Sequence, residues 1–300
     1  MTATRERAPG EDAAALLGAL IADQLRAVQS VATAAEKLSA AADAVAAALR
    51  AGGRLIYLGA GASGALAFQD GAELPGTFGL DPARLAFVSP AGAGATSPVD
   101  SAGEDDEQSA RRAIAALEPG GNDLVLAVSA SGSTPFTLAG ALAAKARGAR
   151  VVALACRRNA PLLDCADLGV LIETGPEAVD GSTRLAAGTA QKAALGVIST
   201  LCCAQLGHVH RRLMVNLKPD NAKLRARARG IVERLSAVDE ATAAAALRAT
   251  NYDVKAAVVA AAGGLDAEAA KALVEACEGD LATALAQAPA YRLKEFQPRA

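Results

Sequence analysis

The sequence contains no tryptophan, and aromatic side chains account for only 3% of its 300 residues. It therefore offers few flat rings on which nucleic-acid bases or sugars would stack. The formal net charge of −2 provides no basic surface, which argues against a nucleic-acid-binding protein. Long apolar runs are also missing, because the hydrophobic stretches are alanine-rich and interrupted by charge, and this argues against a membrane protein. Since the N-terminus lacks the cationic start and apolar core of a signal peptide, we expect a cytoplasmic protein.

Residues that bind metals are scarce as well. His208 and His210 are the only histidines, and no third ligand candidate stands near them in the sequence. A surface turn is therefore favoured over a metal site at this point. The five cysteines are an odd number without a CxxC pair, and we interpret them as small buried apolar residues. We predict no bound metal.

The chain does contain a regular alternation of short apolar runs and helical stretches. The apolar runs are Leu55–Leu58, Leu85–Val88, Leu124–Val128, Val151–Ala155 and Val170–Ile172. Strands that alternate with helices predict an α/β fold, here a five-stranded parallel sheet covered by helices on both faces. A helical stretch starting at Glu11 precedes this pattern, and only short helices follow Lys218. We therefore predict an N-terminal helical segment at 1–37, an α/β domain at 38–217 and a helical module at 218–300.

The first predicted strand runs into the glycine-rich segment Gly59–Gly64. Such a turn exposes backbone N–H groups and directs a helix N-terminus at an anion. Its spacing superficially matches the dinucleotide fingerprint, which requires an acidic residue about 20 positions later to bind the ribose. The second strand is instead followed by Ser89-Pro90-Ala91-Gly92, so we predict no nicotinamide cofactor, and no other cofactor either.

The third strand ends in a second polar loop, Ser129–Pro135. Hydroxyls and helix N-terminal amides at the carboxyl edge of a parallel sheet bind phosphate oxygens without fixed cations. The alternative is that Ser133 or Thr134 only caps the following helix. Two such loops favour a phosphate site, and the candidate residues are Gly61, Ala62, Ser63, Gly64, Ser129, Ser131, Gly132 and Thr134. A third polar segment, Glu177–Arg184, is placed to close the pocket.

These loops, together with Gly181–Lys192, resemble the sugar isomerase (SIS) domain of sugar-phosphate isomerases and regulators. Three further stretches resemble the N-acetylmuramic acid 6-phosphate etherases, namely Gly71–Gly79, Ala102–Asp106 and Gly188–Lys192. The resemblance implies an SIS-type three-layer sandwich with a small UBA-like helical module at the C-terminus. It also implies a phosphorylated amino sugar as substrate.

The resemblance further implies a lyase-type reaction. Lactate is eliminated from C3 of N-acetylmuramic acid 6-phosphate, and water then adds, which yields N-acetylglucosamine 6-phosphate and D-lactate. Glu73 matches the family's proposed acid and Glu104 its proposed base, and such chemistry uses two carboxyl groups. The acid needs a raised pKa, which desolvation beside Leu74, Pro75 and Phe78 would provide. The alternatives are that Glu73 is a solvated residue at a helix end and that Glu104 belongs to an acidic helix N-terminus.

The sequence departs from the family pattern at positions that are cationic in the family. Ala65, Ser133 and Ala186 stand where etherases have Arg, Arg and Lys, and Ala62 replaces a threonine. Fewer cations weaken the binding of an anionic ligand, so the exact substrate stays open. A non-catalytic sugar-phosphate sensor and an aldose–ketose isomerase, which share the fold, are the two alternative functions.

Helix geometry bears on where Glu73 acts. If Ser63 to Glu73 is one helix, its ends lie roughly 15 Å apart at about 1.5 Å per residue, which exceeds the reach from the C6 phosphate to C3 of one sugar. Either the helix breaks early, or Glu73 serves a site whose phosphate loop belongs to a partner subunit. The second case predicts a homodimer with shared active sites.

Overall fold

The structure is a computed structural model that describes residues 13–90, 92 and 102–289. Glu11, the predicted start of the first helix, and Ala91 lie outside the described residues. The chain divides into two compact units, one drawn from residues 1–71 and 83–201 and the other from residues 72–82 and 202–300. No helix in the described ranges combines the length and the apolar character needed for a membrane crossing.

The first unit alternates strands and helices as the sequence predicts. Its elements, two of which continue past its limits, are α1 (Ala13–Thr33), α2 (Ala35–Arg50), β1 (Leu55–Gly59), α3 (Gly61–Phe78), β2 (Leu85–Val88), α4 (Glu107–Leu117), β3 (Leu124–Val128), α5 (Pro135–Lys145), β4 (Arg150–Ala155), α6 (Pro161–Cys165), β5 (Leu168–Leu171) and α7 (Ala186–Gln205). The five predicted strands are confirmed within two residues at either end, whereas the short helix α6 was not predicted.

The five strands form one parallel sheet in the order β2-β1-β3-β4-β5. Strand β1 is the second strand of this order, between β2 and β3, with Leu55 opposite Leu85 on one side and Leu124 on the other. The strand that follows β1 in the chain, β2, lies on one side of it, whereas β3, β4 and β5 lie on the other side. The connection after β1 and the connection after β3 run over opposite faces of the sheet. Open parallel sheets form their binding crevice at this switch point, outside the carboxyl ends of the strands.

Helices cover both faces of the sheet. Alternate strand residues such as Ile56, Leu58 and Val125 pack with Ile114 of α4 and Phe136 of α5, and all five are fully buried. Helix α2 contacts β1, β3 and β5. The hydroxyl of Tyr57, next to Ile56 in β1 and thus on the opposite face, lies 2.6 Å from the Asp70 carboxylate of α3. The α/β class and the three-layer arrangement are confirmed.

Helix α1 leaves part of its apolar surface exposed. Its buried face includes Asp23 and Ala27, and the Asp23 carboxylate accepts hydrogen bonds from the Arg26 side chain and the Ala178 backbone. Four large apolar side chains on another face are each more than half exposed: Leu17, Ile21, Leu25 and Val28. Their spacing places them within one stripe along the helix, which we call the α1 apolar stripe.

Within the described residues, the second unit contains the ends of α3 and α7, a hairpin and five helices of its own. Its elements are β6 (Val209–His210), β7 (Leu213–Met214), α8 (Ala222–Ser236), α9 (Glu240–Ala249), α10 (Val254–Gly263), α11 (Ala267–Ala276) and α12 (Leu281–Gln287). Each of these five helices starts where an Asn or Asp side chain accepts the backbone N–H three residues later.

The two histidines, which were expected in a surface turn, are half-buried. His208 lies just before β6 and His210 lies in it. Burial lowers the pKa of His208 to about 4.

Asp123 ties the start of β3 to the start of β1. Its buried carboxylate accepts the Arg54 backbone N–H at 2.7 Å, the Arg54 guanidinium at 2.7 Å and the Gly120 backbone N–H at 3.0 Å. Burial acts to raise the pKa of Asp123, but these hydrogen bonds outweigh it and hold the pKa below its ordinary value. The ionised carboxylate is therefore the form that stabilises the fold.

We expect Asp123→Asn to lower the free energy of unfolding by about 1–3 kcal/mol at pH 7, because the charge-assisted hydrogen bonds are weakened. A carboxyl with a lowered pKa in the folded state stabilises above the unfolded pKa of about 4, and this contribution is lost as the pH falls through the folded pKa. The difference between wild type and variant should thus shrink in acid. Urea unfolding at pH 7 and pH 3 measures this, with the exposed Asp164→Asn as control. A pH-independent difference would contradict the assignment.

Candidate active site

Two glycines let helix α3 begin directly at the end of strand β1. A Cβ atom on Gly64 would lie 2.6 Å from the backbone oxygen of Gly59, and one on Gly59 would lie 3.0 Å from the Gly64 backbone. Neither position has room for a side chain. This close approach brings Ala62 and Ser63, at the start of α3, to the carboxyl edge of the sheet. Gly64, a predicted binding residue, serves this packing.

Glu104 lies against the first residue of α3. Gly61 has a φ of +53°, and the Glu104 carboxylate occupies the space beside it, with Cδ 3.0 Å from where a Cβ on Gly61 would be. Glu104 belongs to the 3-10 turn Ala102–Asp105 and is half-buried. The helix N-terminus that the acidic run also suggested begins later, because Asp106 caps α4 by accepting the Ser109 N–H at 2.8 Å. Glu104 is therefore separate from that cap.

The loop after β3 is organised around the buried hydroxyl of Ser129. Its Oγ accepts the Gly132 backbone N–H at 3.0 Å and lies 2.9 Å from the Thr134 hydroxyl. Thr134 occupies the N-cap position of α5, but no side-chain hydrogen bond caps the helix there. The capping alternative is thus not found for Thr134, and among the described residues no side chain caps the first turn of α5. Ser131 accepts the backbone N–H of Ser133 at 3.2 Å.

These loops enclose a cavity of about 320 Å³ at the switch point between β1 and β3. Its lining residues are Ala60, Ala62, Ser63, Glu104, Ala130, Ser131, Thr134, Ser182, Thr183 and Arg184. Five of the predicted site residues therefore meet in one cavity, which we call the switch-point cavity. Ser129, Gly132 and Gly64 shape the loops behind its wall, and Gly61 adjoins Glu104. Small-molecule sites begin at about this size.

The third polar segment forms part of the cavity wall, as its position in the sequence suggested. Glu177 accepts the backbone N–H groups of Ala186 at 2.7 Å and Ala187 at 3.0 Å, which closes the segment onto the start of α7. This contact holds the chain so that Ser182, Thr183 and Arg184 line the cavity. Arg184 was not among the predicted site residues. The available signal was a cation directly after a Gly/Ser/Thr turn at a helix start.

Gln191 is a second residue that the sequence reasoning missed. It is buried in α7, and its Oε1 accepts a hydrogen bond from the Ser63 hydroxyl at 3.0 Å. Its Nε2 is also buried, without a hydrogen-bond partner among the described residues. Gln191 therefore orients Ser63 at the cavity wall. The available sequence signal was its place in the stretch Gly188–Lys192, which resembles the etherases.

Glu73 lies in the other compact unit and is exposed. Helix α3 runs without a break from Gly61 to Phe78, so the early break considered above does not occur. Leu74 and Phe78 are buried whereas Glu73 is not, and the desolvation expected for it is not found within the single chain. Glu73 is not among the residues that line the switch-point cavity.

The cysteine that follows β4 stays protonated at neutral pH. Burial raises the pKa of the Cys156 thiol to about 12, and the negative charge of Glu177 adds to the shift. A thiol in this state is a poor nucleophile. Cys202 and Cys203 are buried as expected, and the other three cysteines are half-buried.

The parallel sheet with glycine- and serine-rich loops at its switch point is the arrangement of an SIS domain, and the SIS domain family matches residues 21–156. Among solved structures, a phosphoheptose isomerase from Neisseria gonorrhoeae is similar over 64% of this chain and 98% of that one, with 22% identity and a TM-score of 0.48.

Similarity to curated proteins extends over most of the chain. An N-acetylmuramic acid 6-phosphate etherase from Deinococcus radiodurans is 43% identical over 265 residues, which covers 88% of this chain and 87% of that protein. The same-named protein of Streptomyces avermitilis is 40% identical over 260 residues, 87% of this chain and 84% of that protein. The chain belongs to the family of N-acetylmuramic acid 6-phosphate etherases.

We predict opposite effects on stability for a Gly→Ala change at the contact of β1 with α3 and one in α7 outside it. Gly64→Ala should lower the free energy of unfolding by about 1–3 kcal/mol, because its methyl group meets the Gly59 backbone. Gly196→Ala in α7, where a Cβ meets nothing within 4 Å, should raise it by up to about 1 kcal/mol through helix propensity. Chemical denaturation of both variants measures the difference, and equal stability of the two would show that the contact is not tight.

Proposed function

We propose that the chain is a cofactor-independent carbon–oxygen lyase that cleaves the C3 lactyl ether of N-acetylmuramic acid 6-phosphate. The products are N-acetylglucosamine 6-phosphate and D-lactate. The observation that carries the proposal is the Glu104 carboxylate within a hydroxyl-lined cavity at the sheet's switch point, in a member of this etherase family. The neutral wall around Ser131 and Thr134 suits a phosphate bound through hydrogen bonds.

The phosphate binds where hydroxyls and helix amides converge. Ser131 and Thr134 line the cavity at the start of α5, and their hydroxyls donate to phosphate oxygens together with the amides that follow Pro135, which itself has no N–H. Ser129 and Gly132 keep the loop in shape through their 3.0 Å hydrogen bond. Ser63 adds a further hydroxyl from the other loop.

The reaction needs one carboxylate that accepts a proton and one carboxylic acid that donates one. Glu104 accepts the proton from C2, and the electron pair of the C2–H bond forms the C2–C3 double bond. The C3–O bond breaks, and Glu73 protonates the departing ether oxygen, so lactate leaves. Water then adds its oxygen to C3 while a proton returns to C2, which restores the sugar. General acid and base groups contribute to both halves of this sequence.

Replacement of either carboxyl group should slow the release of lactate from N-acetylmuramic acid 6-phosphate. We expect Glu104→Gln and Glu73→Gln each to reduce the rate by about 10²-fold or more, because an amide neither accepts nor donates the proton. Glu107→Gln is the matched control, since Glu107 is exposed at the start of α4 and pairs with Arg111. In labelled water, the sugar product should carry solvent oxygen at C3.

Three outcomes would contradict this assignment. Folded wild-type protein that binds the sugar phosphate without turnover is a sensor. Conversion of hexose 6-phosphates without lactate identifies an isomerase. Lactate release that is unchanged in both variants would mean that the two glutamates have other roles.

We propose further that the enzyme is a homodimer with shared active sites. The α1 apolar stripe leaves four large side chains in solvent in the single chain, and a second copy of the chain would bury them. Glu73 is exposed in the single chain and lies about 15 Å along α3 from Ser63, so a partner subunit is the better placed recipient of its carboxyl group. Contact with a partner would also desolvate Glu73, as an acid requires.

Mixing two inactive variants tests the shared site. If each site takes Glu73 from one subunit and Glu104 from the other, a heterodimer of Glu73→Gln and Glu104→Gln contains one intact site. Random reassociation of equal amounts should then restore about a quarter of the wild-type rate of lactate release. If both glutamates come from one subunit, mixing restores nothing. Dissociation by Ile21→Asp in the α1 apolar stripe, followed by sedimentation, checks the interface.

The substrate also bears on the compartment. A sugar with a phosphate and a carboxylate does not cross a bilayer unaided, because burial of its charges is too costly. We propose that the enzyme acts in the cytoplasm, where sugars are phosphorylated.

A further inference from the structure

Arg184 supplies the positive charge of the switch-point cavity. Among the lining residues that the structure describes, Arg184 is the one cation and Glu104 the one anion, and the rest are neutral. Arg184 is exposed, and the chain just after it is held by the Glu177 carboxylate, which accepts the Ala186 and Ala187 N–H groups. Its guanidinium is therefore available to a ligand from a backbone that is fixed in place.

The amides at the start of α7 are already used. The Glu177 carboxylate accepts the N–H groups of Ala186 and Ala187, so these amides do not serve a second anion. At α5 the situation is the reverse, since no side chain caps that helix at Thr134. The α5 loop thus provides neutral donors for one anion, and the α7 segment provides a side-chain cation instead.

The substrate carries two anions of different geometry, a phosphate at C6 and a carboxylate on the lactyl group. Glu104 acts at C2, next to the carbon that bears the lactyl ether, and two carboxylates at such close range repel each other. A guanidinium binds a planar carboxylate through two parallel hydrogen bonds and offsets this repulsion. The phosphate has its own donors at Ser131 and Thr134.

We propose that Arg184 binds the lactyl carboxylate and thereby selects the ether substrate over sugar phosphates that lack this group. The inference rests on the proposed function of the cavity. It makes Arg184 a specificity residue, and its contact is made before the reaction as well as during it. Such a contact contributes to KM and leaves kcat nearly unchanged.

The test compares a ligand with the lactyl group and one without it. Arg184→Gln should raise the KM for N-acetylmuramic acid 6-phosphate by about 10- to 100-fold and change kcat by less than about threefold. The inhibition constant of N-acetylglucosamine 6-phosphate, which keeps the phosphate and lacks the lactyl group, should stay within about twofold. Arg184→Lys should recover part of the affinity, since lysine keeps the positive charge but cannot donate two parallel hydrogen bonds to the carboxylate.

The matched control is Arg150→Gln, an exposed arginine at the amino-terminal end of β4, on the opposite edge of the sheet. Equal weakening of substrate and product by Arg184→Gln would overturn the proposal and place the guanidinium on the phosphate. An unchanged KM would overturn it as well. If the wild-type enzyme releases no lactate, the proposed function fails instead, and the two failures are thus distinct. Thermal unfolding of each variant verifies that the folded state is kept.

Discussion

The close contact between the end of β1 and the start of α3 is the constraint on which the rest of the site depends. It exists because Gly59 and Gly64 both lack a side chain, so that the helix begins immediately at the carboxyl edge of the sheet. Gly61 then leaves room for the Glu104 carboxylate at the first residue of the helix. The same helix carries Ser63, whose hydroxyl reaches Gln191 of α7. One backbone approach therefore positions a carboxylate and a hydroxyl from distant parts of the chain.

Charge in the cavity is sparse and divided between two segments. Most of the wall consists of hydroxyls and small side chains, and hydrogen bonds of the buried Ser129 hydroxyl connect the residues of the α5 loop. Neutral donors that are fixed in advance bind a phosphate without reorganising. The proposed function assigns the two charged groups to the recognition of a carboxylate and to proton transfer. Glu177 is part of this division, because it occupies the α7 amides and leaves Arg184 as the cation among the described lining residues.

The fold was largely predictable from the sequence, and the contacts of the site were only partly so. A strand buried on both faces, such as Leu124–Val128, appears as a continuous apolar run, and the two polar loops follow such runs directly. The residues that contact those loops were not predictable in this way. Gln191 meets Ser63 from 128 residues away, and Arg184 reaches the cavity through a cap made by Glu177. No local pattern encodes these contacts, because they depend on how α7 packs after the chain has folded.

Because a sequence pattern does not identify the partner of a surface, the surroundings of α1 and Glu73 were also only partly predictable. An apolar stripe of helical period shows that a surface is to be buried, but not whether the chain itself or another copy buries it. In the single chain Ile21 and its neighbours stay exposed, and so does Glu73. By contrast, the contact of Glu104 with Gly61, the turn that carries it and the cavity that it lines all belong to one chain. An acid must be shielded from water to hold its proton at neutral pH, and in the proposed homodimer a second subunit would supply this shielding for Glu73.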